Sequence, residues 1–426
     1  MRVHLRTLGC RLNEAELEQW ANGFRRYGHT LADQAGDADV LVVNTCAVTA
    51  DAVRKSRNLV RRAHRESPKA KLIVTGCHAA LSPQNMRDEL GADLVVGNQD
   101  KDRLVAIAVQ ALDLPAMPEA ATEPAEVALF QRGRQRAFVK VQDGCRYRCA
   151  YCIVTVARGA ERSRPIADVV AEVNRLYQQG LREIVITGVQ VGGYGHGAGE
   201  TLPGLLRALL ADTDMPRIRL GSVEPWSIGE DFIEAFANPS LLPHLHLPLQ
   251  SGSDAVLRRM ARATRIADYR ALATRLRAAI PSFNLTSDII VGFPGETETE
   301  WEETLAAVRT LGFGHLHIFS YSDREGTKAA RLPDKVPDAV KKRRSRALHA
   351  LAEDEKRAVL ASQAGASADV LFERAEATQA GRRRWFGYTP NFLRVGLDRP
   401  ESENLENRIL NVRLTRVEDG ILVAEQ

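Results

Sequence analysis

Three cysteines lie close together in the middle of the chain, in the segment DGCRYRCAYC. Thiolates are the soft ligands that iron–sulfur clusters and zinc prefer. Three of them can hold one four-iron cluster and leave one iron without a protein ligand, whereas structural zinc needs a fourth ligand that this loop does not offer. The C-x3-C-x2-C spacing therefore favours a cluster site formed by Cys145, Cys149 and Cys152.

The other three cysteines each follow an apolar run in the first part of the chain. Cys10 comes after RVHLRTL, Cys46 after DVLVVNT and Cys77 after KLIVTG. Ligands collect at the carboxyl ends of strands in open α/β sheets, so these thiols could converge on one metal site. Three buried core cysteines, or a zinc site completed by His78, are the alternatives.

The runs that precede these cysteines alternate with helical patterns near residues 13–27, 50–66, 83–90 and 101–111. This alternation predicts an N-terminal doubly wound α/β domain over residues 1–112. Residues 113–136 are rich in Pro, Ala and Glu with little periodicity, which indicates a linker.

A second β/α series carries the central cysteines. Six strand signals, AFVKVQ, EIVITG, RIRLGS, HLHLPL, NLTSDIIVG and HLHIFSY, alternate with helical patterns. They predict a partial (β/α) barrel over residues 137–362, ending in a long helix, with its active site at the strand carboxyl ends. Short strands with turn residues then indicate a small all-β domain over residues 363–426.

The composition bounds the environment and the partners. Hydrophobic residues make up 44% and charged residues 26% of 426 residues, and the formal charge of +4 is only mildly basic. No window has the apolar length of a membrane span, and the N-terminus lacks the apolar core of a signal peptide. We therefore expect a cytoplasmic protein whose cysteines bind metal and do not form disulfides.

The central cysteine motif resembles that of the radical S-adenosylmethionine (SAM) superfamily. Further segments resemble the methylthiotransferase family in the family's order, over roughly residues 1–330, and the tail resembles its TRAM domain. These segments are TLGCRLNEAE, NTCAVTADAVRKSRN, VTGCHAALSP, RAFVKVQDGCRYRCAYCIVTVARGAERSRP, LHLPLQSGSDAVLRRM and DIIVGFPGETETEW.

The resemblance implies two 4Fe–4S clusters, one on each cysteine trio, with SAM bound at the open iron of Cys145, Cys149 and Cys152. It implies no catalytic residue beyond the cluster ligands. It places Tyr151 near the SAM adenine, and Gly188 and Gln190 near the methionine part. Glu224 and Gln250 follow barrel strands and could also contact SAM. A glycine-rich turn lets the backbone approach a ligand closely.

The motif around Cys10 resembles the branch acting on N6-threonylcarbamoyladenosine in tRNA. Branches acting on isopentenyladenosine, or on a ribosomal-protein aspartate, are the alternatives. tRNA is then the expected partner, with an electron-donor protein such as a flavodoxin or ferredoxin. Cations beside aromatic rings suit RNA binding. The candidates in the β tail are Arg382, Arg383, Arg384 and Trp385, and a basic helix at 341–346 is a weaker one.

Overall fold

A computed structural model of the chain describes residues 1–115, 135–378 and 381–425. Most of the predicted linker, 113–136, lies outside these described residues. Contacts divide the chain into two compact units. The first takes in the described part of Met1–Ala128 with Gln142–Arg162 and Ser322–Arg331, and the second takes in the rest. The boundaries of the four predicted domains stay predictions.

The first unit is built on a five-stranded parallel sheet with the order β2-β1-β3-β4-β5. Alternate residues of the central strands enter opposite cores. Val40 and Val42 pack with one set of helices, and Leu41 and Val43 pack with the other. Helices thus cover both faces, which confirms the doubly wound sheet. The elements are β1 (Arg2–Thr7), α1 (Arg11–Arg26), β2 (Thr30–Leu31), β3 (Val40–Thr45), α2 (Ala50–Glu66), β4 (Lys71–Gly76), α3 (Cys77–Leu81), α4 (Pro83–Asp88), β5 (Leu94–Val96) and α5 (Leu104–Ala111).

The segment with the central cysteines belongs to this first unit. It contains β7 (Gln142–Asp143) and α6 (Val154–Arg158). Cys77 of α3 and Ala157 of α6 share a small buried cluster with Ala47. Both cysteine trios are therefore carried by one compact unit.

The second unit contains the predicted partial barrel. Its strands form two three-stranded parallel sheets. Two isolated β-bridges connect these sheets, one between Ile218 and Leu241 and one between Ser222 and His246. Helices pack against the strands around one large apolar core. The strands are β6 (Arg136–Lys140), β9 (Glu183–Thr187), β10 (Ile218–Leu220), β11 (His244–His246), β12 (Asn284–Val291) and β13 (His315–Ser320); β8 is Arg162–Ser163. The helices are α7 (Ile166–Gln178), α8 (Leu202–Asp212), α9 (Glu230–Glu234), α10 (Asp254–Arg259), α11 (Ile266–Ala279), α12 (Glu298–Leu311) and α13 (Asp338–Ala361).

The tail is a closed five-stranded barrel with the order β14-β15-β16-β18-β17. Closure removes the free sheet edges that a small β domain would otherwise expose. The predicted fold class is thereby confirmed in all three parts. The strands are β14 (Ser367–Ala377), β15 (Arg382–Tyr388), β16 (Arg394–Pro400), β17 (Ile409–Glu418) and β18 (Ile421–Glu425).

Buried charges join the tail to the partial barrel within the second unit. Glu183 of β9 pairs with Arg217 at 2.7 Å and with Arg219 at 2.9 Å. Burial favours the neutral acid, but the two guanidinium groups outweigh it and hold the pKa of Glu183 well below its usual range. Arg217 and Arg219 also donate to backbone carbonyls of the tail, at Asp369 and Pro390 among others. Among the described residues, no helix is both long and apolar enough to cross a bilayer.

Candidate active site

The first cysteine trio lies at the carboxyl ends of three neighbouring strands. Cys10 follows β1, Cys46 follows β3 and Cys77 opens α3 directly after β4. Gly9, which has a φ of +119°, allows the first two loops to approach each other, because a Cβ there would lie 2.9 Å from the Cβ of Cys46 and 3.0 Å from its Sγ. The sheet topology thus places the three cysteines at one edge of the sheet.

The thiols of this trio influence one another electrostatically. Burial raises the pKa of Cys46 to about 11, and the neighbouring Cys10 and Cys77 add to the rise. Cys10 is exposed as a whole residue, yet desolvation by the surrounding protein raises the pKa of its thiol too. Metal binding replaces these protons by a cation that compensates the thiolate charges. Three soft donors at one sheet edge fit an iron–sulfur cluster.

Arg158 brings a buried positive charge to the first trio. Its Nε lies 3.4 Å from Cys77 Sγ, and its terminal nitrogens donate to Asn13, Glu16 and Asp143 at 2.8 to 2.9 Å. Burial opposes the charge, but the attraction of Glu16, Asp143 and the neighbouring thiols outweighs it and raises the pKa of Arg158 further. The same cation lowers the pKa of Cys10, against the effect of desolvation.

A second set of buried polar groups supports Arg158. Lys101 is fully buried, and its Nζ donates to Glu16 at 2.6 Å and to Asn44 at 3.1 Å. Asn44 in turn donates to the same Glu16 carboxylate at 2.9 Å. Asn44 is two residues before Cys46, so this network fixes the backbone that presents the cysteine.

The second trio lies on the loop between β7 and α6. Cys145 donates its backbone N–H to the carbonyl of Gly159, and Cys152 donates to the carbonyl of Cys149. Burial raises the pKa of Cys152 to about 12, and the other two thiols of its trio and Cys77 of the first trio contribute. The two trios therefore lie within electrostatic reach of each other. Their donor set again fits a cluster with three protein ligands.

The predicted SAM contacts lie in two places. Tyr151 is half-buried on the cysteine loop of the first unit. In the second unit, Gly188 and the buried Gln190 follow β9, and Gln250 follows β11. Gln250 has a φ of +75°, an unusual conformation for a residue with a side chain. The backbone N–H of Gln250 donates to the carbonyl of Asp288, and its carbonyl accepts from the N–H of Ile290. These two bonds to β12 hold the residue in that conformation.

Glu224, the remaining predicted SAM contact, forms an ion pair. Its carboxylate lies 2.6 Å from Arg262, which also donates to the carbonyl of Pro248 and stacks over the ring of Trp226. The Arg262 side chain is buried and the Glu224 side chain is one-fifth exposed. The carboxylate is thus oriented by an arginine that lies far along the chain.

The predicted RNA-binding residues separate into two groups. Arg382 and Arg383 are exposed on β15, and Arg383 pairs with Glu401. Arg384 is half-buried and donates two hydrogen bonds to Asp398. Trp385 is 5% exposed and packs in the core of the β tail. The expectation that this ring stacks on RNA bases is corrected, because its face is covered by the barrel.

The basic helix stretch at 341–346 also lies partly inside the protein. Arg344 is buried and pairs with Glu296 at 2.8 Å, and Glu296 accepts a backbone hydrogen bond from Gly292. Arg344 therefore stabilises the GFPGET turn after β12 through its ion pair with Glu296.

Sequence reasoning missed Arg158, Lys101, Arg262 and Arg324. Arg324 lies in the first unit. Burial lowers the pKa of its guanidinium group, and the nearby Cys46 thiol partly opposes this effect. Each of these cations is distant in sequence from the group it serves, so no local pattern reveals it. The position of Arg324, four residues after the end of β13, was the one available signal, since active-site residues follow barrel strands.

Two family profiles match the chain. Residues 2–97 match the uncharacterized protein family UPF0004, and residues 139–308 match the radical SAM superfamily. The chain is also 35% identical to the threonylcarbamoyladenosine tRNA methylthiotransferase MtaB of Bacillus subtilis, over 97% of this chain and 94% of that protein. The chain therefore belongs to the radical-SAM methylthiotransferase family, and it is an enzyme.

Relatives of a second branch align as well. The tRNA-2-methylthio-N(6)-dimethylallyladenosine synthase of Cereibacter sphaeroides strain ATCC 17025 is 37% identical over 88% of each chain. Among solved structures, the radical SAM methyltransferase TsrM of Kitasatospora setae, with cobalamin and a [4Fe-4S] cluster bound, has a TM-score of 0.59 at 17% identity. The alignment covers 77% of this chain and 74% of the TsrM chain, and this similarity supports the fold alone.

Proposed function

We infer that this enzyme transfers a methylthio group to C2 of N6-threonylcarbamoyladenosine next to the anticodon of tRNA. The observation that carries the proposal is the pair of cysteine trios in one compact unit, where Arg158 contacts both Cys77 of the first trio and Asp143, two residues before Cys145 of the second. Coupled chemistry at two clusters needs such proximity, because a reactive group must pass from one site to the substrate held at the other.

Each trio has a separate role in the proposed reaction. Cys145, Cys149 and Cys152 would hold the cluster that binds SAM, and Cys10, Cys46 and Cys77 would hold the cluster that carries sulfur. When bound, these cofactors supply the deoxyadenosyl radical that removes hydrogen from C2 and the methylthio group that takes its place.

The protein's own residues prepare the two sites. Arg158 places a fixed cation beside the first trio, where it compensates the negative charge of thiolates. Tyr151, Gly188, Gln190, Glu224 and Gln250 would bind and orient SAM. Arg262 holds the Glu224 carboxylate in one orientation through a short ion pair.

The substrate branch is the finer part of the proposal. Identity alone does not separate the two tRNA branches, since it is 35% for one relative and 37% for the other. Two relatives of the threonylcarbamoyladenosine branch align over 97% and 98% of this chain, and two others over 83% and 82%. The residues Arg11, Leu12 and Asn13 after the first cysteine also resemble that branch. Exposed Arg382 and Arg383 would contact tRNA phosphates in the cytoplasm, and a flavodoxin or ferredoxin would supply electrons.

Nucleoside analysis of tRNA tests the substrate. Deletion of the gene should remove 2-methylthio-N6-threonylcarbamoyladenosine and leave the unmethylthiolated nucleoside in its place. Expression of the wild-type chain should restore the modified nucleoside, and a chain with Cys145→Ala should not. Loss of 2-methylthio-isopentenyladenosine instead would assign the enzyme to the other tRNA branch. Unchanged tRNA nucleosides in a strain without a paralogue would contradict both.

A further inference from the structure

Three potential metal ligands meet on neighbouring strands of the partial barrel. His246 lies on β11, Asp288 on β12 and His317 on β13. The strand register pairs His246 with Thr286 and Asp288 with His317. Side chains two residues apart on a strand share a face, so the register brings the two imidazoles and the carboxylate together.

The donor atoms of these side chains are close enough to share one cation. His246 Nε2 lies 3.2 Å from Asp288 Oδ1, and one donor atom from each of the three residues lies within 4.8 Å of the others. Donors around tetrahedral zinc are about 3.3 Å apart, because each lies about 2.0 Å from the ion. His317 is exposed, and a change of its χ angles can bring its ring nitrogen nearer.

Thr286 fixes the orientation of the His246 ring. Its Oγ1 lies 3.0 Å from His246 Nδ1 and 3.1 Å from His244 Nε2. A hydroxyl has one proton, so it can accept from Nδ1 of His246 while it donates to His244. Nε2 of His246 then presents a lone pair beside the Asp288 carboxylate. In this tautomer the Nε2 lone pair and the carboxylate can bind one cation together, whereas in the other tautomer Nε2–H donates to Asp288.

A surface groove next to β13 borders this position, because His317 is one of its lining residues. Its volume is about 260 Å³, and α13 forms its other wall. The exposed His317 therefore leaves one side of the position open to water, as a catalytic type of metal site requires. The lining includes His315, His317, Phe319, His349 and Glu353.

We propose that His246, Asp288 and His317 bind one divalent transition-metal ion, with Zn²⁺ as the probe. Two imidazoles and one carboxylate are donors that zinc and ferrous iron accept, and the remaining positions are open to water. The site shares no residue with the cysteine trios, and it does not depend on the identity of the tRNA substrate.

Zinc binding by the holoenzyme tests the site. The chain is loaded with its clusters under anaerobic conditions, exposed to Zn²⁺ and desalted, and zinc and iron per chain are then measured. The variants are His246→Ala and His317→Ala. His349→Ala is the matched control, because this imidazole lines the same groove but its Nδ1 is engaged by Ser345 of its own helix.

We expect about one zinc per chain in the wild type and in the His349→Ala control, and loss of that zinc in both other variants. Iron content should be equal in all four proteins, which shows that each is folded and loaded. Thr286→Val should weaken zinc affinity by roughly tenfold to a hundredfold, as loss of an orienting partner does. Wild-type protein without zinc, or variants that retain it, would overturn the proposal and leave His246 and Asp288 as a hydrogen-bonded pair.

Discussion

Arg158 contacts groups beside both cysteine trios of the candidate site. One guanidinium contacts Cys77 of the first trio and also Asp143, which lies two residues before Cys145 of the second. A planar group with five fixed donors can make such contacts at once, whereas an ammonium group cannot. Arg158 therefore sets both the charge beside one trio and the position of the loop that carries the other.

Replacement of Arg158 tests this role. In Arg158→Met the buried Glu16 and Asp143 lose their common partner, which costs about 3–5 kcal/mol of stability. We expect the iron held by the first trio to fall most, because the thiolates also lose a compensating charge. Iron and sulfide assays with electron paramagnetic resonance measure the loss. Arg275→Lys is the control, since Arg275 forms an exposed pair with Glu230 away from the cysteines and should leave iron unchanged.

Sequence reasoning succeeded for the cysteines because their chemistry is rare and their spacing is local. It failed for Arg158, whose partners Cys77 and Asn13 are 81 and 145 residues away. It also overvalued Trp385, since an aromatic ring next to three arginines suits RNA and a barrel core equally well. Strand alternation places that ring inside, and only the tail's closed barrel reveals which face is inside.

At the scale of elements, the turn before the second trio depends on one glycine. Gly144 has a φ of +73°, and a Cβ at this position would lie 1.9 Å from the carbonyl oxygen of Ala160. Neither a rotamer change nor a small shift relieves a contact with backbone at that distance. The loop with Cys145 can close on Gly159 only because the side chain is absent.

Gly144→Ala should therefore displace the second trio. We expect a large loss of the iron held there and of SAM cleavage, while the first trio keeps its iron. Gly197→Ala is a matched control, because Gly197 has a φ of +80° but open space around it. It should cost about 1–2 kcal/mol from the left-handed backbone alone, without loss of iron. Equal iron in both variants and wild type would contradict this account of the loop.

The strand pattern was predictable because buried parallel strands are continuous apolar runs. All six barrel strands and the three apolar runs that precede Cys10, Cys46 and Cys77 correspond to observed strands. The assignment of Gln142–Arg162 and Ser322–Arg331 to the first unit was not predictable. Each of those segments directly follows a barrel strand along the chain, so sequence order alone assigns it to the barrel.

At the scale of the whole molecule, the β tail is attached to the barrel by buried charge. Glu183 holds Arg217 and Arg219, and these arginines hold carbonyls of the tail. Each of these bonds is directional, so the tail has a defined orientation within the second unit. The exposed Arg382 and Arg383 thereby occupy a fixed surface, which suits recognition of one region of a large tRNA.

Removal of both exposed arginines tests tRNA binding by the tail. Arg382→Ala with Arg383→Ala should weaken binding of unmodified tRNA and lower the salt dependence of the binding constant by about 1.4 in slope, which corresponds to two phosphate contacts in single-stranded regions. Fluorescence titration of the holoenzyme over a range of salt concentrations measures both quantities. Arg374→Ala, an exposed arginine that pairs with Glu376 on β14, is the comparison. Binding unaffected by the double change would remove this surface from the tRNA site.

The central claim is that each cysteine trio holds its own four-iron cluster, and metal content under strict anaerobiosis tests it most directly. Iron and sulfide are measured with electron paramagnetic resonance for the wild type and for two triple alanine variants, one for each trio. Two clusters correspond to about eight irons per chain in the wild type and about four in each variant. SAM cleavage should be lost only without Cys145, Cys149 and Cys152. Colourless protein with stoichiometric zinc, or a triple variant with the iron content of the wild type, would contradict the claim.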